Sequence, residues 1–213
     1  MLGIFFERVF FNVSLMLVAA AIIWYFSRRA FVGRYVLQDK FLKDEMEANN
    51  TRRRDVEPEF YFTPNTSALP LRSDVSGKVA EKQEMVEKCA QLVMLRFPEK
   101  RTNLELKNAY GVANLEKVTG YEENYNRYLY VLIQWAEALI EAGERRDAIK
   151  IFEHTVELGS EYRKSYTHLA DYYTEQQNAN SLNTLLDNVA LQFTDEGIRR
   201  QLTQYIMDKK ESL

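Results

Sequence analysis

A helix–turn–helix pattern returns at an interval of thirty-four residues in the C-terminal half of this chain. Trp135, Ala136 and Leu139 precede Gly143, and Ala148, Phe152 and Val156 follow it. One interval later Leu169, Ala170 and Tyr173 precede Gln177, and Leu182, Leu186 and Ala190 follow. Steps of three and four between apolar residues mark helical faces. A single helix pair cannot bury such a face alone, so units at a fixed period stack on their neighbours. Small Ala136, Ala148 and Ala170 stand where two helices must approach closely. The expected fold class is all-α.

The first unit, residues 129–162, contains WAEALIEAGERRDAIKIFEHTVEL: a large and a small residue on the first helix, a turn glycine, then A-x3-F on the second. This resembles the tetratricopeptide repeat (TPR) family. The second unit, 163–196, departs from the pattern, with Gln177 at the turn and Leu182 for the small residue. Ser160 and Thr194 stand where the family often has proline. The resemblance implies right-handed helical hairpins that act as a docking platform, with a groove lined by the first helix of each pair. Mapped onto this chain, that groove holds Tyr130, Ile133, Glu137, Ile140 and Glu141, then Lys164, Thr167, Asp171, Thr174 and Glu175. Residues 129–196 carry five basic and twelve acidic side chains, so the implied ligand is a basic or amphipathic protein segment. An unrelated antiparallel helical bundle is the competing fold.

The repeat domain is expected to span 78–213. Val86, Cys89, Ala90, Val93 and Phe97 suggest a helix over 78–97, stopped by Pro98. Thr102 and Glu105 read as a capping box opening a helix over 102–118, and Thr119-Gly120-Tyr121-Glu122 reads as a second. These two helices fit only as degenerate repeats. Ile198, Leu202, Tyr205 and Ile206 give a cap helix over 197–211 one apolar stripe.

The N-terminus is of another kind. Nineteen residues between Arg8 and Arg28 carry no charge. As a helix they reach roughly 28 Å, close to a bilayer's hydrocarbon thickness. Trp24 and Tyr25 sit near one end, as interfacial rings do. Residues 1–27 therefore read as a transmembrane anchor contacting membrane lipids, and 28–48 as a helical stalk. Arg28, Arg29, Arg34, Lys40 and Lys43 follow the span and only Arg8 precedes it, which places the C-terminal domain in the cytoplasm. The short, nearly neutral tail leaves the periplasmic or extracytoplasmic side as the alternative.

Residues 49–77 hold three of the four prolines and read as a linker. Phe60, Tyr61 and Phe62 are unusual in a free linker, because exposed aromatics invite burial. They pack back on the helical domain or dock a partner, and the PEFYFTPNTSALPL segment is also a candidate occupant of the groove.

Chemistry finds little material. The net charge is −3, and basic residues are not interleaved with aromatics, which speaks against nucleic acid. His154 and His168 lack a spaced ligand set, the single cysteine excludes a cysteine zinc cage, and no phosphate-cradling or nucleophile motif occurs. No catalytic residue, metal or cofactor is expected. The function classes that remain are a membrane-held protein-interaction adaptor, a structural accessory subunit of a larger membrane assembly, and, remotely, an enzyme of unknown type.

Overall fold

The computed structural model describes Met16, residues 19–29 and residues 39–213. Most of the expected span before Ser27, and the middle of the stalk, lie outside the described residues. Residues 19–29 and 39–49 are helical. Among the described residues no helix is long and apolar enough to cross a membrane. Beyond residue 49 come strand β1 (Tyr61–Phe62), helix α1 (Gly77–Ala90), strand β2 (Met94–Leu95) and helices α2 (Asn103–Tyr110), α3 (Val112–Glu141), α4 (Arg145–Glu157), α5 (Arg163–Glu175), α6 (Ala179–Gln192) and α7 (Glu196–Glu211). The protein is mostly helical, and the one departure from an all-α fold among the described residues is the two-residue antiparallel pair β1–β2.

Two compact units divide the chain: residues up to Asp55 with Arg101–Glu116, and Val56–Lys100 with Lys117–Leu213. In the first, the expected capping box forms at Thr102. Its hydroxyl accepts from the Glu105 N–H at 3.3 Å, and the Glu105 carboxylate accepts from the Thr102 N–H at 2.7 Å. Such a cap stabilises a helix by about 1 kcal/mol. Ala48, Leu106 and Tyr110 are buried, and Lys107 pairs with Glu45 at 2.6 Å.

The helix expected over 102–118 breaks at Gly111, and the break expected at Thr119 does not occur, because α3 runs through it. Gly111 has φ +79°, and a Cβ there would lie 2.9 Å from the carbonyl oxygens of Thr51 and Arg52. Only glycine meets both conditions. Gly120 stays helical with nothing within 4 Å of a would-be Cβ. A Thr-Gly pair inside an apolar periodic run does not stop a helix whose tertiary burial continues on both sides.

In the second unit the segment expected as a linker is built into the fold. Tyr61 and Phe62 pair with Leu95 and Met94, and the Arg96 N–H donates to the Phe60 carbonyl at 2.8 Å. The Gln83 side chain both accepts from Arg72 N–H at 3.2 Å and donates to Arg72 O at 2.8 Å, filling both backbone hydrogen-bonding sites of one residue. Leu69 is buried. The expected helix over 78–97 therefore ends at Ala90: Met94 and Leu95, both buried, extend to pair with β1, and Val93 faces solvent.

The stacked pairs follow. Trp135, Ala136 and Leu139 on α3, Ala148, Ile151 and Phe152 on α4, Tyr166, Leu169 and Ala170 on α5, Leu182, Leu185 and Val189 on α6, and Leu202 and Ile206 on α7 join one core. Helix α5 packs against α4, α6 and α7. On α6 the buried face is Leu182, Leu185 and Val189; Ala190, expected inside, is exposed. The turns repeat bond for bond. The Glu144 N–H donates to Leu139 O and the Gly143 N–H to Ile140 O; one period later Asn178 donates to Tyr173 O and Gln177 to Thr174 O. This is the Schellman arrangement, which needs a left-handed residue. Gly143 has φ +83°, and Gln177 adopts φ +53° without being glycine.

Gly111→Ala is expected to destabilise by about 1–3 kcal/mol, from positive φ and the close carbonyls, whereas Gly120→Ala gains up to about 1 kcal/mol. Urea midpoints of the two variants check the contrast. Gln177→Gly is expected to raise the midpoint, by relief of about 1 kcal/mol of left-handed strain, while Gly143→Gln lowers it.

Candidate protein-docking face

The first helices of the two pairs, α3 and α5, carry the residues mapped to the groove. Tyr130 is 48% exposed, and its ring lies 5.9 Å from that of Tyr162, itself 38% exposed. Ile133 is buried, and Ile140 is half-buried against the core, so both serve packing. Thr167 and Thr174 turn their hydroxyls back to the Lys164 and Ala170 carbonyls, at 3.1 and 2.8 Å. That leaves the Tyr130–Tyr162 pair as the open apolar element of this face.

The four carboxylates are brought onto neighbouring helices, but each already holds a cation. Glu137 pairs with Lys164 of the mapped set. Glu141 pairs with Lys78 of α1 at 2.6 Å. Asp171 accepts from Lys209 and from the Tyr205 hydroxyl of α7, each at 2.7 Å. Glu175 is gripped by both terminal guanidinium nitrogens of Arg145 at the start of α4, which also lies over the Tyr172 ring at 5.7 Å. The excess negative charge of the repeats is thus partly neutralised within the fold. A basic ligand must exchange with these partners, and exchange of one surface ion pair for another gains little.

The electrostatics follow the geometry. The Glu175 carboxyl is held below its ordinary value by the Arg145 hydrogen bonds, and Lys164 is raised by Glu137. Burial pushes Asp171 up, but hydrogen bonds from Lys209 and Tyr205 outweigh it, and the net direction is down. Tyr128, buried on α3, is pushed up to about 12 by burial. Burial likewise raises the Cys89 thiol against the pull of Arg127, so it remains a thiol at neutral pH.

Tyr61 and Phe62 occupy a different side of α3, and Phe60 lies beside Phe97. Phe62 meets Tyr125 edge-on at 5.0 Å, Tyr61 lies 6.5 Å from Tyr121, and Phe60 sits 5.2 Å from Phe97. Tyr121, Tyr125 and Tyr128 recur at helical spacing; Tyr130, Glu137 and Glu141 fall roughly 120–180° around the axis from them, at about 100° per residue. Tyr61 and Phe62, from the PEFYFTPNTSALPL segment expected as a groove occupant, therefore pack on the side of α3 away from the mapped groove.

Lys78, Arg145, Tyr162, Tyr205 and Lys209 were not legible as members of this face, except that Tyr205 stands one period after Asp171, where stacked units bring equivalent positions together. Among the described residues, the buried atoms Tyr128 Oη, Trp135 Nε1 and His154 Nε2 have no hydrogen-bond partner. Among the described residues no three His, Cys, Asp or Glu side chains converge as metal ligands. The chain matches no protein-family model, no curated protein and no solved structure.

Because the folded Asp171 carboxyl is harder to protonate than the unfolded one, its contribution to stability is full above the ordinary value of about 3.9. It is lost as pH falls through the lower folded value. Asp171→Asn is expected to lower the urea midpoint at pH 6 and to leave it closer to that of the parent protein at pH 3. An equal deficit at both pH values would show that the ion pair with Lys209 contributes nothing.

Proposed function

We propose that this chain is a membrane-anchored adaptor whose stacked helix pairs form a TPR-like platform for a protein partner. The observation that supports it is the recurrence of one bonded turn, Leu139 to Glu144 and Tyr173 to Asn178, at the interval of the apolar pattern. A repeated hairpin with an open aromatic pair on its first-helix side is a surface for contact. The uncharged run before Arg28 supports a single-pass anchor, and the basic residues after it support a cytoplasmic platform. The partner is a protein segment with apolar side chains for Tyr130 and Tyr162 and positive charges that exchange with Lys164 and Arg145. No nucleic acid, metal or cofactor enters this reading.

A second reading is a fixed structural subunit of a membrane assembly. The internal pairing of Glu137, Glu141, Asp171 and Glu175 favours it, because a surface whose charges are already matched suits a permanent contact better than an exchanging one.

Purification of the full chain in mild detergent, with a photo-crosslinking amino acid at Tyr130, separates the readings. An adaptor gives adducts at that position, and Tyr130→Ala with Tyr162→Ala weakens partner binding about tenfold or more. A constant, stoichiometric set of companions that survives the double substitution supports the fixed subunit. Companions absent in both experiments remove the platform.

A further inference from the structure

The helix over 39–49 leaves three large apolar side chains in the open: Phe41 at 56% exposure, Leu42 at 53% and Met46 at 67%. Its own packing uses the side that carries Phe41, where Ala48 is fully buried and Glu45 is held by Lys107, whereas Leu42 and Met46 lie roughly 60–160° around the axis from Glu45 and Ala48. Leu42 and Met46 lie one turn apart and form one stripe. Just beyond the helix stand Arg52, Arg53 and Arg54, all exposed. The ion pairs of this unit among the described residues are Lys43–Asp39 and Lys107–Glu45, and neither uses these arginines. Their backbone, by contrast, is fixed: the Arg54 N–H donates to Tyr110 O at 3.1 Å, and the carbonyls of Thr51 and Arg52 close on Gly111. The side chains are therefore presented from a held loop; among the described residues no carboxylate pairs with them, and the exposed Asp55 that follows offsets one of the three charges.

We propose that this region is a lipid dock, in which Leu42 and Met46 enter the boundary between headgroups and acyl chains while Arg52, Arg53 and Arg54 meet anionic headgroups. The inference rests on the reading of the uncharged run as an anchor. Nine residues separate Arg29 from Asp39, a reach of at most about 35 Å. Such a tether keeps the dock at millimolar effective concentration near the bilayer, so weak interfacial affinity suffices. The chemistry matches the occupant: an apolar stripe with neighbouring cations is what an anionic membrane surface binds. Each arginine near that surface strengthens adherence by roughly fivefold, and three together by on the order of a hundredfold.

The test uses the full chain in lipid nanodiscs, either zwitterionic or one-third anionic, with Cys89→Ala as background. An environment-sensitive fluorophore is attached through Met46→Cys, and separately through Ala20→Cys in the uncharged run. The expected result is a blue-shifted label at position 46, quenched by lipids carrying a nitroxide near the headgroup. The quenching is stronger in anionic discs and is lost with Arg52→Gln, Arg53→Gln and Arg54→Gln combined. A label at 46 that escapes lipid quenching while the label at 20 is quenched overturns the dock and leaves the anchor standing. Escape at both positions overturns the anchor and the dock with it. A blue shift at 46 without lipid quenching assigns the stripe to a protein contact and overturns the dock.

Discussion

A helix pair with one apolar side is unstable until something covers that side, and here the cover is the next pair. Helix α5 carries the consequence, since it packs on α4, α6 and α7 together. Its small Ala170, like Ala136 and Ala148, is fully buried, which lets backbones approach while Trp135, Phe152 and Tyr166 fill the wider gaps. Truncation of residues of that size in such a core costs about 3–5 kcal/mol. The chain direction must reverse between helices without opening this core, and the left-handed turns at Gly143 and Gln177 do so with the last carbonyls satisfied. The turn at Gln177 shows the strength of that requirement: a side chain accepts an unfavourable backbone conformation rather than lose the two hydrogen bonds.

Polar groups of the same core are matched with similar care around the turn after α4. The Thr155 and Ser165 hydroxyls bond at 2.8 Å, Tyr166 donates to the Ser160 carbonyl at 3.0 Å, and the Gln192 amide donates to Val156 O at 3.0 Å. A buried hydroxyl without a partner costs about 1–3 kcal/mol, so these contacts fix which residues can meet where α4, α5 and α6 converge. Surface charges behave differently. On the candidate face they pair across helices and neutralise part of the acidic excess of the repeats within the fold.

The legible part of the fold is the part written in local periodicity. The helices α4 to α7, the capping box at Thr102 and the stop at Gly143 all arise from contacts within a few residues, where spacing and turn chemistry decide the outcome. The misread parts each depend on a distant segment. Gly111 breaks its helix because Thr51 and Arg52 close against it, and Met94 and Leu95 leave the helical path because Tyr61 and Phe62 lie alongside. The proline-containing segment lacks a period of its own, and its aromatic residues find order only against β2, Phe97 and α3. On the candidate face, the carboxylates and Lys164 were visible but the other cations were not, since Lys78 and Lys209 lie 63 and 38 residues away in sequence from Glu141 and Asp171.

The amino-acid order by itself determined a helical stack of period thirty-four, because burial of a repeated apolar side leaves a chain of this kind no other use for it. It also determined the segregation of an uncharged N-terminal run from a charged remainder, since composition alone separates them. Only the tertiary structure decided which charges neutralise one another, which side of α3 Tyr61 and Phe62 cover, and that Gly111 rather than Gly120 ends a helix. Those outcomes turn on distances between residues far apart in the chain, and no local pattern encodes such distances.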